Sequence, residues 1–539
     1  MSPLLHFYKN FTIIGTVLVY TVIRNVEFMK PFTRKAAGLR QEERVMAVTE
    51  KLEPGNVFHF FEEICKIPHG SGNVEKISDY LAGFARERGL CCIQDAWKNV
   101  IIVKEATAGY EEEPPIILQG HMDMVAVKKP EADIDMVKEG LRLAVDGDDL
   151  YAQDTSLGGD DGIAVAYALA ILDADYIAHP RLEVILTVDE EVGMDGAREL
   201  DVSMLKGKRM LNLDSEEEGI ILAGCAGGAR VDWTVPVTWE EQEGTAYEIC
   251  VRGLAGGHSG AEIDKERGNA NSLMGRLLYG LSGTVQFGLS KLHGGLADNA
   301  IPREATAVVV LEKEAAGSGV GDGSAEERFL EKIRETEAEW KRELQTKDPF
   351  IGIQVKRLDN VSLSCIAGEE KDKLLCLLCA APNGVQAMSA DMPGLVETSL
   401  NMGIVSLEKE RAAIQFSVRS SLESAKKALI RKLESMAHMA GASQSVRGDY
   451  PGWAYRKDSP FRDMAVETYR RLYGKEPEIQ AIHAGLECGL LMAKMPGLEC
   501  ISIGPDMKDI HTTEEKLSIS STGRVWDYIL EILRQKCGC

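Results

Sequence analysis

Short apolar runs bounded by turn residues recur through the first half of the chain and again near its end. They are PPIILQ at 114–119, LEVILTV at 182–188, KRMLNL at 208–213 and LECISI at 498–503. Such runs fit interior strands of a mostly parallel sheet, buried on both faces. GIAVAYALAILDA, at 162–174, predicts a long buried helix among them, and NVFHFFEEICKI and NVEKISDYLAGFARERG predict two helices before the first strand. Strands alternating with helices in this way predict an α/β fold.

Near Ala226-Gly227-Gly228 the pattern changes. YEICVRGL, NSLMGRLLYGLSG, ATAVVVLEKE, AAIQFSVRS and SAKKALIRKLESMAHMAG read as the strands and helices of a separate α+β unit, interrupted by the Gly-rich surface loop AAGSGVGDGSAEE. The α/β pattern resumes at Tyr450-Pro451-Gly452. The expected organisation is a catalytic domain in two halves, 46–228 and 446–539, with residues 229–445 inserted between them. Residues 1–45 stand apart. NFTIIGTVLVYTVI, between Lys9 and Arg24, is uncharged but shorter than the roughly 20 residues a bilayer span needs, and no small-residue cleavage site follows it. Residues 1–45 read either as an upstream extension before a natural start at Met46 or as a signal anchor; in neither case are they assigned to the folded domains.

At 539 residues the chain has room for at least two domains. Its 84 acidic residues against 61 basic ones leave a net charge of −23, which disfavours nucleic acid and anionic membranes as partners. Twelve cysteines with no regular spacing suggest reduced thiols and a cytoplasmic setting. Cys376 and Cys379 have CxxC spacing, but within KDKLLCLLCAA and without a second pair they read as core packing rather than metal or redox chemistry.

Candidate chemistry gathers just after the predicted strands and at one helix start. His121 and Asp123 follow PPIILQ, and alternation in an extended segment sets them on one side, so that the carboxylate can hold the second imidazole nitrogen. Asp160 lies in GGDDG at the head of the long helix. Glu190 and Glu191 end LEVILTVDEE, Asp214 ends KRMLNLD, and His511 lies in the loop after LECISI. In an open α/β sheet this is the crevice where ligands bind. Any one of these residues reads more simply as a solvated loop charge; five sites obeying one rule do not. Two histidines with three carboxylates suit zinc or a similar divalent ion, and close carboxylates argue for two ions, which polarise a carbonyl and supply hydroxide at neutral pH. One more carboxylate must take up the water's proton. Adjacent Glu190 and Glu191, pointing different ways, supply a base and a ligand.

GHMDMV, GGDDG, TVDEEVGMDGA, LNLDSEEEG, GGHSG and HAGLECGLL together resemble the M20 clan of di-zinc peptidases. LDSEEEG, ADNAIPREA, YPGW and HAGLECGLL narrow the resemblance to its aminoacyl-histidine dipeptidase group, from about residue 50 onward. The resemblance implies a zinc-peptidase (phosphorylase/hydrolase-like) catalytic domain with a central mixed, mostly parallel sheet, plus an inserted α+β lid. It implies two Zn2+ per chain, with Co2+ or Mn2+ as substitutes: His121 and Asp214 on one ion, Glu191 and His511 on the other, and Asp160 bridging. Asp123 would orient His121, and Glu190 would be the general base. In the lid, His258 would stabilise the oxyanion while Asn299 and Arg419 contact substrate, Arg419 holding its free carboxylate. Without the resemblance, His258 reads as a turn residue among glycines and Arg419 as a surface charge. His483 and Glu487 have a metal-like spacing, but the resemblance puts them behind the ligands or in the substrate pocket. The lysine common in the wider clan two residues after the bridging aspartate is absent, Gly162 standing there, in agreement with the dipeptidase group. The implied activity is hydrolysis of dipeptides of broad sequence, Xaa-His included, by a cytoplasmic enzyme; related lids often pair subunits into a homodimer, but the sequence does not fix the oligomer. An N-acyl amino acid deacylase and a catalytically silent binding protein are the alternatives.

Overall fold

Four strands of one direction lie side by side at the centre of an eight-stranded mixed sheet. In the computed structural model, which describes residues 48–312 and 324–536, the order is Cys91–Gln94, Val100–Lys104, Leu182–Thr187, Ile116–His121, Arg209–Asn212, Glu499–Ser502, Ile220–Cys225 and Glu478–Ile482. The third to sixth of these are mutually parallel, as are the last two; the other three pairings are antiparallel. The sheet is therefore mixed, as expected, and its four central strands end at one edge. The amino-terminal apolar run, Met46 and most of the Gly-rich loop lie outside the described residues.

Burial on both faces explains the continuous apolar runs. Leu182–Thr187 and Ile116–His121 are buried at every position. The helix Gly159–Asp173 is buried from Gly159 to Leu172, which is why its sequence has no polar stripe. Val57, Phe58, Phe61 and Ile64 of the helix Gly55–Cys65 are fully buried in the core it shares with that helix, each contributing about 1.5–3 kcal/mol.

A second, nine-stranded antiparallel sheet is built from residues 227 to 450, in the order Gly352–Cys365, Glu240–Arg252, Ala305–Glu312, Phe287–Gly294, Val396–Leu407, Arg411–Ser420, Gly227–Pro236 and Ser443–Tyr450, with Gly384–Met388 also on Val396–Leu407. Its core, around Trp233, Phe287, Phe329 and Phe416, is separate from that of the first sheet. The two chain crossings between the sheets run side by side: Cys225 and Trp453 exchange backbone hydrogen bonds of 2.9 and 3.0 Å. A Cβ on Gly227 would lie 2.4 Å from the Gly452 nitrogen, so only glycine lets the crossings touch.

The CxxC pair differs from expectation. In the helix Gly368–Ala380 the leucines at 374, 375, 377 and 378 turn inward, leaving Cys376 exposed and Cys379 half-buried. Part of the Gly-rich segment is helical: Ser324 caps the helix Ala325–Glu343 in a capping box with Glu327. Among the described residues no helix is long and apolar enough to cross a membrane.

Candidate active site

Parallel pairing continues past the strand ends and brings the candidate residues together. Met122 N–H donates to Thr187, Leu213 to Gln119 and Ile503 to Asn212, at 2.9, 2.9 and 3.1 Å. His121, Asp214 and the loops carrying Glu190, Glu191 and His511 therefore emerge beside one another. Asp189 then takes φ +56° and accepts the Gly72 N–H at 2.7 Å, so the chain turns sharply before the two glutamates.

Asp160 stands at the centre. One of its carboxylate oxygens lies 3.1 Å from His121 Nε2 and the other 3.1 Å from His511 Nε2. Asp214 Oδ1 is 3.7 Å from His121 Nε2, and Glu191 Oε1 is 3.0 Å from His511 Nε2. Glu190 is half-buried beside them and its N–H donates to Asp123 Oδ1 at 3.2 Å. Asp160, Glu190, Glu191, Asp214 and His511 line a cleft of about 340 Å³ with an acidic end, Glu216 and Glu217 included, and an apolar wall of Ile220, Leu222, Ile482 and Leu486.

His121 Nδ1 does not use the Asp123 carboxylate as its closest partner. It meets the Asp123 carbonyl at 2.9 Å, whereas Asp123 Oδ1 is 3.5 Å away and takes the Glu190 N–H, the other oxygen accepting from Ser71. The extended segment puts both groups near the ring, but the main-chain oxygen has the better line. Either acceptor fixes the ring through its Nδ1 proton and turns Nε2 towards Asp160.

The electrostatics call for a cation. Burial opposes charge on His121, yet Asp123, Asp160 and Asp214 outweigh it and push its pKa well above the usual value. His511 is pushed up to about 10 by Asp160 and Glu191. Burial raises Glu190 and Asp161 well above the carboxylate range, Asp214 to about 6 and Glu216 to about 7. Ligand atoms of His121, Asp161 and Asp214 lie within 4.8 Å of one another, as do those of His121, Asp160 and Glu191. Buried Asp161 Oδ1 accepts no hydrogen bond, and Glu191 Oε1 has only His511 Nε2 beside it, at 3.0 Å. Nitrogen and oxygen donors so arranged fit borderline divalent ions such as zinc, manganese or cobalt. Without metal, protons hold this cluster together. His511 has its pKa raised, so its stabilisation is full below about 6.5 and is lost as pH rises towards about 10; the raised Asp214 and Glu216 act in the same direction at lower pH. The melting temperature of chelated protein should therefore fall between pH 6.5 and 10, and a flat profile would contradict this.

The three remaining candidates lie in the second sheet's part of the chain, and none lines the carboxylate cleft. His258 and Asn299 line a different cleft, of about 940 Å³. His258 Nδ1 accepts the N–H groups of Gly260 and Ala261 at 3.3 and 3.1 Å, leaving Nε2 to carry a proton, and burial and the Arg419 charge lower its pKa. Arg419 donates to Tyr450 Oη at 3.3 Å, while its buried Nε has no hydrogen-bond partner. His483 accompanies Arg419: it meets Ser399 Oγ at 2.7 Å, and burial and Arg419 lower its pKa to about 4. Glu487 lies under the site, fully buried, accepting from Gln119 at 2.6 Å and Thr187 at 2.5 Å.

Residues 117–535 match peptidase family M20/M25/M40. The chain belongs to that family. This M20 chain is 37% identical over 495 residues to the cytosol non-specific dipeptidase of Escherichia coli K12, covering 91% of this chain and 99% of that protein. Its structure is similar to the crystal structure of the aminoacylhistidine dipeptidase of Vibrio alginolyticus, with a TM-score of 0.82 and 35% identity over 91% of this chain and 98% of the other. The aminopeptidase PepT of Bacillus cereus shares the fold at a TM-score of 0.51 and 15% identity, over 89% of this chain and 98% of that one.

Asp161, Glu216 and Glu515 were not singled out by sequence reasoning. The first two stand inside motifs already quoted, GGDDG and LDSEEEG, where a neighbour drew the assignment. Glu515 sits in the polar stretch TTEEK, where nothing sets it apart from a solvated glutamate.

Proposed function

We propose that this M20 chain is a cytoplasmic metal-dependent dipeptidase that hydrolyses unblocked dipeptides of broad sequence, Xaa-His among them. The observation that carries the reading is Asp160, with one oxygen towards His121 and the other towards His511, flanked by Asp214 and Glu191. The Escherichia coli and Vibrio relatives, named as dipeptidases, support the substrate class, and the former's name supports the location.

His121 and Asp214 would hold one divalent ion, Glu191 and His511 a second, and Asp160 both; zinc suits the donor set best, with cobalt or manganese as substitutes. Ions held there would supply polarisation of the scissile carbonyl and a water nucleophilic at neutral pH. Glu190 takes the water's proton and passes it to the leaving amine. Asp123 supports both roles, its carbonyl fixing His121 and its carboxylate the Glu190 backbone.

The unit of residues 229–445 acts as the lid. His258 with a proton on Nε2 is ready to donate to an oxyanion, and Asn299 lies in the same cleft. Bringing these to the carboxylates requires rotation about the paired crossings at Gly227 and Gly452 or the lid of a second copy, and a homodimer paired through the lids is part of this proposal. Sedimentation at micromolar concentration tests it, a monomer counting against the pairing.

Arg419 would hold the C-terminal carboxylate of the dipeptide, with its unpaired Nε and planar fork matched to that group in a way lysine is not. Arg419→Lys should lower kcat/KM for free dipeptides by about 10- to 100-fold, the worth of a hydrogen bond to a charged group. C-terminally amidated dipeptides, already poor substrates, should change little. Kinetics on an Xaa-His dipeptide and its amide decide it: equal losses would reduce Arg419 to a structural residue, and parity of acid and amide in the parent would count against a dipeptidase.

A further inference from the structure

The turn that carries Asp160 is gripped from outside by a carboxylate four residues past His511. Glu515 is 3% exposed. Its Oε2 accepts the N–H groups of Leu157 and Gly158 at 2.8 and 3.1 Å, and its Oε1 accepts that of Gly159 at 2.8 Å, with the Asp160 N–H 3.5 Å away. These amides precede or open the helix Gly159–Asp173, and their donors point away from any intrahelical acceptor. The residue at the cap is Gly158, which has no side chain to satisfy them. Successive amides aimed at one point form an anion cradle, here filled by the protein's own carboxylate. Close approach depends on glycine: a Cβ on Gly159 would lie 3.3 Å from Glu515 Oε1 and 3.1 Å from Met507 Sδ.

The loop that supplies Glu515 is closed at its base, where Met507 and Lys508 pair with Leu517 and Lys516. This one short segment sets His511 Nε2 3.1 Å from Asp160 Oδ2 and Glu515 against the amides behind Asp160. The loop and the turn thus meet twice, once through groups assigned to metal and once through a contact that needs none.

We propose that Glu515 is a positioning residue of the metal centre: by locking the GGDDG turn to the His511 loop, it holds the Asp160 carboxylate between His121 and His511 and so sets the affinity for both ions. The inference rests on the assignment of Asp160 and His511 as ligands. A carboxylate that merely capped a helix would contribute to folding and leave metal affinity unchanged.

The test uses chelated full-length protein, titrated with Zn2+ against a chromophoric chelator and separately loaded with Co2+ for its visible absorption, with thermal unfolding of the same metal-free samples. Glu515→Gln keeps the shape but turns an amide N–H group towards backbone donors, breaking one arm of the grip. We expect it to lower the affinity for both ions by about 10- to 100-fold, as loss of residues supporting ligands does elsewhere, and to alter the Co2+ spectrum. Ser324→Ala, which removes the capping box of a helix remote in sequence, should lower the melting temperature without either change. Glu515→Asp, which keeps the charge but shortens the reach, serves if the glutamine variant does not fold, and should show the same loss in milder form. Parent-like affinity and spectrum in a folded Glu515 variant with a lowered melting temperature would overturn the proposal. A parent chain that binds no second ion would instead overturn the ligand assignment, a distinguishable result.

Discussion

Glu190→Gln should keep both ions and lose most of its turnover, with kcat down by about 10²- to 10⁴-fold, the usual contribution of a positioned proton acceptor. The amide matches the carboxylate in size and hydrogen-bonding reach, so the cleft around Asp160 and Asp214 should be undisturbed, but it cannot take up the water's proton. The neighbouring substitution Glu191→Gln should behave differently. Glu191 Oε1 lies 3.0 Å from His511 Nε2 and has no other hydrogen-bond partner, as befits an atom kept for a cation, so its loss should appear first in metal affinity. Metal titration set beside steady-state kinetics for the two variants checks this; the reverse pattern would exchange the two roles.

Asp160→Ala should release both ions. Each oxygen of Asp160 serves a different histidine, so one truncation removes a ligand from both positions and leaves His121 and His511 without their shared counter-charge. Residues that only support ligands are worth about 10- to 100-fold in affinity, so the loss at each position should exceed about 100-fold. Elemental analysis after gel filtration reads it directly. Retention of two ions per chain in this variant would remove the bridging role.

Legibility in the sequence followed burial. The strands at 116–121, 182–187, 209–212 and 499–502 are interior, and continuous apolar runs ending in chemistry-bearing residues announce such strands plainly. The second sheet was harder. Gly352–Cys365 has many exposed positions, and Ala325–Glu343 buries only Phe329, Ile333, Thr336 and Trp340 of its nineteen residues; neither was read from the sequence, although the spacing of those four is helical. The strands Gly227–Pro236 and Ser443–Tyr450 straddle the limits read at 229 and 445, because the compositional change marks the glycine crossing rather than the first ladder bond. Site residues after strand ends were legible for a topological reason, since parallel strands deliver their carboxyl ends to one edge. Glu515 was not, because its partners are backbone amides, which leave no trace in side-chain identity. The Asp123 contact was read on the carboxylate alone for a related reason: alternation places residues on a side but does not choose between a carboxylate and the nearer carbonyl of the same residue.

Stepwise return of Zn2+ to chelated protein, with hydrolysis of a free Xaa-His dipeptide followed at each addition, tests the central claim most directly. The two-ion dipeptidase account predicts negligible hydrolysis by the metal-free chain, a rate that climbs to a plateau at two equivalents, and little cleavage of the N-acylated counterpart. Hydrolysis unaffected by chelation, or a fully loaded protein that cleaves the N-acyl amino acid and leaves the dipeptide intact, would contradict it.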